Sequence, residues 1–166
     1  MVEVTVNDDG FGDAMRKAPK ALFSSLKSTW FKHHTRFVTR MKTERLSGRP
    51  GLKTQTGTLK RGLIVKTEGT TLNTLEVRSV FTGPHAKFAH VHEQGMTIHA
   101  KNGKYLVFPI RAGGASRSTK IAGWAMVESV TIPARLGFEE TWKRMLPMLF
   151  RRTNIAVGRA LKGDNG

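Results

Sequence analysis

The sequence predicts a single α+β domain, residues 1–166, on three observations. Apolar residues recur at helical spacing through the first quarter, short alternating segments bounded by Gly, Pro and Asn fill the middle, and a second helical stripe runs toward the C-terminus. The expected architecture is a long N-terminal helix, a curved antiparallel sheet of four to five strands with a short inserted helix, and a C-terminal helix. A chain of 166 residues buries roughly two thirds of its unfolded surface and holds a core without staples.

Residues 2–6, Val-Glu-Val-Thr-Val, alternate as a half-buried strand does, and residues 7–10 form a turn. Asp13 suits a helix N-cap. From there to about residue 45, Met15, Ala18, Leu22, Leu26, Trp30, His34, Phe37 and Met41 step by three or four into one stripe, widened by Phe23, Phe31 and Val38. Such a stripe is ordinary core. Pro19 lies in the first turn or two, where it delays or kinks the helix. Ser47-Gly-Arg-Pro-Gly51 stops it, and residues 47–57 read as a flexible loop.

Residues 59–67 and 72–81 are two expected strands around a turn at 68–71. A short helix over 84–94 ends at Gly95. Strands over 96–100 and 104–110 then flank Asn102-Gly103, the dipeptide that favours a tight hairpin turn. Residues 111–123 are small, polar and basic, a second flexible loop. A strand over 125–132 precedes the last helix, whose stripe is Phe138, Trp142, Met145, Leu146 and Leu149; Pro147 should kink or split it. The tail, 162–166, should fray.

The net charge of +16 is unevenly spread. Glu3, Asp8, Asp9 and Asp13 make the first thirteen residues acidic, whereas residues 14–67 hold one acid, Glu44, among fourteen Lys and Arg. On the first helix the basic residues fall mostly outside the apolar stripe, giving it a cationic back. A field of that sign draws polyanions or an acidic protein face. No helix-turn-helix, zinc-finger or RNA-recognition pattern accompanies it, so base-specific reading is not expected. There is no cysteine, hence no disulfide and no thiol nucleophile. No secretory signal opens the sequence, and no apolar run approaches the ~20 residues of a membrane span. The protein is expected to be soluble and made in a cytoplasm.

His85, His90, His92, His99 and Glu93 invite a metal reading. The spacing opposes it, because His90 and His92 on a helix point about 200° apart and no second cluster completes a shell. No nucleophile elbow, phosphate loop or dinucleotide fingerprint occurs. The expectation is no enzyme, no metal and no cofactor.

Phe88-Ala-His-Val-His-Glu-Gln-Gly-Met-Thr-Ile98, then Lys101-Asn-Gly-Lys-Tyr-Leu-Val-Phe-Pro-Ile110, then Val130-Thr-Ile-Pro-Ala-Arg135 occur in that order. Together they resemble the neck and tail-completion proteins of tailed bacteriophages, a family also described as virion morphogenesis or minor tail proteins. Thr56-Gly-Thr-Leu-Lys-Arg61, with Gly62 at a small position, resembles the family's lead-in to its first strand. The chain departs from the pattern at Leu136-Gly-Phe138, where Pro-Phe-Leu is usual, and at Phe88, usually Tyr.

The resemblance implies a structural virion protein, assembled in the host cytoplasm. It would form a six- or twelve-fold ring in the head–tail connector around the DNA channel. Its partners would be copies of itself, head-side connector or portal-adaptor proteins, and tail terminator or tail tube proteins, with non-specific proximity to genomic DNA and no membrane. Tail terminator or minor tail protein of the same particle is an alternative, as is a small basic nucleic-acid-binding protein. Some of Lys27, Lys32, Arg36, Arg40, Arg49, Lys53, Arg111, Arg117 and Lys120 are expected to face the channel or an acidic neighbour. Gly57, Glu93, Gly95, Asn102, Gly103, Phe108, Pro109, Ile132, Pro133 and Arg135 are expected to be structural. Pro133 would end a strand, and Arg135 would satisfy carbonyls or an acid near the last helix.

Overall fold

A computed structural model describes residues 20–48, 52, 57–84, 86–111 and 121–161. Helix α1 spans Lys20–Arg40 and passes into a π-helical turn, Met41–Arg45. A short helix α2, Thr58–Gly62, leads into strand β1, Leu63–Glu68. After a single 3₁₀ turn at Leu72–Thr74 comes β2, Glu76–Phe81, then helix α3, Ala86–Gln94. Strands β3 (Met96–His99), β4 (Leu106–Arg111), β5 (Ile121–Val127) and β6 (Ser129–Ile132) precede helix α4, Phe138–Leu161. The class is α+β.

The core lies between α1 and α4, which run antiparallel. Near the end of α1, Phe37 and Met41 meet Phe138, Trp142, Met145 and Leu149 from the first half of α4. At the other end, Leu22 and Leu26 pack on Ala156. Phe37 stands edge-on to both Phe138 and Trp142, at centroid distances of 4.8 and 5.2 Å, a favourable arrangement for aromatic quadrupoles. Trp30 Nε1 donates to Thr153 Oγ1 at 3.0 Å, so the indole body packs while its N–H is satisfied.

The π turn keeps the stripe facing inward. Met41 and Leu46 are both buried, but residues five apart on an α-helix point about 140° apart. One wide turn, closed by Leu46 N–H on Met41 O at 2.9 Å, returns Leu46 to the core side. The stripe holds for Leu22, Leu26, His34, Phe37, Val38 and Met41, while Phe31 is exposed and does not widen it.

The strands form three two-stranded antiparallel ladders, β1–β2, β3–β6 and β4–β5. Leu63 from β1 and Val77 and Ser79 from β2 face the helix pair. Several expected strand limits move. Residues 58–62 are helical, so β1 begins at Leu63; β2 begins at Glu76, after the 3₁₀ turn; and the strand expected over 125–132 is two, β5 and β6, broken at Glu128. β5 starts at Ile121, inside the segment expected to be a loop. Gly62 has its reason in packing: a Cβ there would lie 2.6 Å from Thr82 O, whose own residue donates N–H to Gly62 O at 2.8 Å.

The hairpin expected across Asn102-Gly103 is not formed. β3 pairs with β6 and β4 with β5, so the two segments flanking Asn102-Gly103 lie along one side of a long ribbon whose other side is 121–132. A type I′ turn needs positive φ at both central residues. Neither Asn102 nor Gly103 has it; residues 101–104 are bends between consecutive strands. Alternating apolar residues fit more than one partner strand, and the longer ladder with 121–132 wins.

α4 runs through Pro147 as one continuous helix, not split in two there. Glu139 and Glu140 in its first turn and Arg159 in its last suit the helix dipole. The expectations for residues 2–6, the 7–10 turn, Asp13, Met15, Ala18, Pro19, most of the first loop, the tip at 112–120 and the tail lie outside the described residues.

Candidate assembly surface

The two motifs singled out in the sequence meet at one junction. α3 ends at Gly95, whose φ of 76° is open to glycine at little cost, and whose N–H donates to Val91 O at 2.8 Å. A Cβ at Gly95 would sit 3.1 Å from both Ala134 N and Ile132 O. The Ile132-Pro133-Ala134-Arg135 segment therefore lies directly against the end of α3. β6 stops at Ile132, before Pro133, which lacks a ladder N–H. The backbone N–H groups of Arg135 and Leu136 both donate to His92 O, at 2.8 and 2.9 Å. Arg135 thus contributes its main chain, not its guanidinium; its side chain is exposed and joins no ion pair among the described residues.

Glu93 completes the junction. Its Oε2 accepts the N–H of Phe138 at 2.8 Å, and its Oε1 accepts that of Glu139 at 2.9 Å. A carboxylate from α3 thus caps the N-terminus of α4, where backbone donors are unpaired and the dipole favours negative charge. Nearby, burial and the positive charge of Arg135 hold the His92 imidazole below its ordinary pKa. Among the described residues no three His, Asp or Glu side chains converge to hold a metal ion, and the Glu93 carboxylate is committed to the helix.

From this junction the ribbon leaves the core. No described side chain of β3, β4, β5 or β6 is fully buried. In β4–β5, paired residues share a face: Val107 with Met126 and Pro109 with Trp124 on one, Phe108 with Ala125 and Ile110 with Gly123 on the other. Trp124 and Met126 are each 62% exposed, Val107 55% and Ile110 50%. Both faces of the ladder are apolar and both are open. Leu106-Val-Phe-Pro-Ile110 is an unbroken apolar run, the pattern of a strand covered on both faces, yet its Val107, Phe108 and Ile110 side chains are exposed. An isolated two-stranded ladder is marginal in water, and exposed apolar area of this kind marks an interaction surface. Phe108 and Pro109, expected to be structural, lie in this ladder, and the sequence reading missed Trp124 and Met126 beside them.

The basic residues do not form one patch. Lys32 and Arg36 are exposed one turn apart on the outer side of α1. Arg40 continues their row, but its Nε pairs with Glu44 at 2.7 Å, and Glu44 also lies 3.5 Å from Arg144. Lys27 sits about 140° round the helix from Lys32, with its Nζ 5.6 Å from the Phe23 ring centre. Arg49, Lys53, Arg117, Lys120 and the Arg111 side chain lie outside the described residues. Gly57 precedes α2 with φ 73°. A basic row not foreseen runs along α4, where Arg144, Arg151 and Arg159 alternate with exposed Met148 and Ile155 at three- and four-residue spacing.

Under α1, His33 and His34 are buried against Trp142, at centroid distances of 5.7 and 4.7 Å. His34 Nδ1 shares a 2.8 Å hydrogen bond with Ser79 Oγ. Burial, then the neighbouring His33, lower the His34 pKa to about 4. Both imidazoles are core groups held neutral. No described helix is long and apolar enough to cross a membrane.

The chain matches no family model, and neither a curated protein nor a solved structure is detectably similar to it.

Proposed function

We propose that the chain is a structural protein of a tailed-bacteriophage particle, a subunit of a homo-oligomeric ring in the head–tail connector around the DNA channel. The observation that carries the assembly half of this reading is the β4–β5 ladder, with apolar side chains exposed on both faces. Surfaces of that kind are covered in assemblies. The virion half rests on the resemblance of the two motifs that dock at the Glu93 junction. The positive rows on α1 and α4 suit a subunit whose ring encloses a polyanion or meets an acidic neighbour. Catalysis has no part in the reading.

Light scattering after size exclusion, with negative-stain images, tests it. The expected outcome is a closed ring, alone or on adding a connector partner. The basic rows favour a second reading, a small nucleic-acid-binding protein. A monomer at all concentrations, with and without connector partners, that binds bare DNA tightly and salt-sensitively would replace the ring with that reading. Duplex binding by either form should weaken with salt at about 0.9 log units per log unit for each phosphate neutralised. Lys32→Ala with Arg36→Ala should reduce that slope while leaving stability within about 0.5 kcal/mol. An unchanged slope would remove the outer face of α1 from the channel.

A further inference from the structure

We infer that the groove between α1 and α4, on the side away from β1–β2, seats an acidic amphipathic helix of a different protein. The inference rests on the acidic-neighbour part of the reading above and specifies it.

Two rows of side chains make the groove. On α1, His34 turns toward the sheet, where its Nδ1 meets Ser79 Oγ. Arg36 is two residues on, about 160° round the helix, so Arg36 and Arg40 one turn later look away from β1–β2. Arg40 pairs with Glu44, and Glu44 in turn with Arg144 of α4. That link brings one side of α4 onto the same face. The side it brings is the row Arg144, Met148, Arg151, Ile155 and Arg159. Steps of four, three, four and four residues keep the five within about 80° of one another. All five are exposed, Met148 at 48% and Ile155 at 46%.

Charge makes the occupant acidic. The carboxylates on this face are already engaged, Glu44 by Arg40 and Arg144 and Glu140 by Arg45, while Arg36, Arg151 and Arg159 stand exposed. Opposite charge on a partner is what such a face selects.

Met148 and Ile155 make it a protein, and a helix. Each stands between two arginines, Arg144 and Arg151 being about 10 Å apart along the axis and Arg151 and Arg159 about 12 Å. A nucleic-acid backbone carries a charge every ~3.4 Å along each strand and brings nothing apolar to cover those two side chains. A helix with apolar residues at three- and four-residue spacing, flanked by Asp or Glu, covers both and meets the arginines, because the period of the row is the period of a helix. The aliphatic stems of the arginines then line the seam. A second copy offers no such helix: among the described residues, none of α1 to α4 carries more acidic than basic side chains.

The test uses the full-length chain and titrates it, by fluorescence anisotropy, against a synthetic amphipathic helix of about 16 residues with Leu along one stripe and Glu beside it. A scrambled isomer of that peptide and a short DNA duplex are the controls. The helix should bind about tenfold or more tighter than its scrambled isomer. Met148→Ser with Ile155→Ser should weaken helix binding by about tenfold and leave duplex binding unchanged. Arg151→Glu with Arg159→Glu should abolish helix binding, and the same helix with Lys in place of Glu should bind that variant but not the wild type. Such an exchange of charge is a rescue that loss of folding could not produce. Equal binding of helix and scrambled isomer would overturn the inference. Helix binding indifferent to Met148 and Ile155, beside duplex binding that needs Arg151 and Arg159, would overturn it in favour of nucleic acid. A chain that binds neither helix nor duplex would overturn it in favour of cover by the acidic residues 1–13, and self-association lost with Met148→Ser and Ile155→Ser in favour of a second copy. Failure of the helix to bind leaves the ring reading standing, since that is read from the size of the wild-type assembly.

Discussion

Phe37 and Trp124 are both large aromatic residues in regular structure, and their surroundings are opposite. Phe37 is wholly buried between α1 and α4, touching Phe138 and Trp142. Trp124 is 62% exposed on the two-stranded β4–β5 ladder. The helix pair with β1–β2 spends its apolar residues on its own core, while the ribbon holds a comparable set outside it. Apolar composition alone does not distinguish a core from an interface. What distinguishes them is whether the same chain supplies the opposing face.

Truncation at each site should separate the two regions most strongly. Phe37→Ala leaves a cavity and should cost about 3–5 kcal/mol in urea unfolding. Trp124→Ala should change monomer stability by less than about 0.5 kcal/mol while abolishing assembly. Equal costs at the two sites would mean that the ribbon is part of the cooperative core.

Acid should act on the core and spare the ribbon. His34 has its folded pKa lowered to about 4 from an ordinary 6.5, so between those values the unfolded chain binds the extra proton. The stability that comes from keeping His34 neutral is complete above pH 6.5 and is lost as pH falls toward 4. The loss is about 3 kcal/mol at 1.36 kcal/mol per pH unit. His33, lowered by burial and then by Arg36, adds in the same direction. Unfolding free energies measured from pH 7 to 4 should fall across that window; a flat profile would mean the pair is not neutral in the core.

A smaller effect is expected where the regions join. Glu93→Ala strips the cap from two amides of α4 and should cost about 1–3 kcal/mol. Amide exchange at Phe138 and Glu139 should speed up, with the far end of α4 unaffected. Unchanged exchange there would show that the two hydrogen bonds are dispensable.

The sequence made the helices legible because their periodicity is long and one-sided. Leu22, Leu26, Phe37, Met41, Trp142 and Leu149 fall where 3.6-residue spacing puts them. Strand pairing was not legible, because period-2 alternation does not say which strand is opposite. Asn102-Gly103 offered a local turn, and 121–132 offered a longer ladder. Gly95, Glu93 and Ile132-Pro133 were recognisable as a frame, but the carboxylate reaching forty-five residues ahead to Phe138 leaves no local trace. The exposed apolar arm did leave one, the unbroken run Leu106-Val-Phe-Pro-Ile110, which reads as doubly covered strand and states the need for a cover without naming it.

The ribbon begins beside Gly95 and returns at Ile132, and both ends are tied to α3 within a few residues of Glu93. Mechanically this is a cantilever with one clamped root. A pull on its free end would run down both strands to that root, where the chain joins α3 at Gly95 and α4 through residues 133–137, and where the Glu93 carboxylate and the His92 carbonyl tie the two helices together.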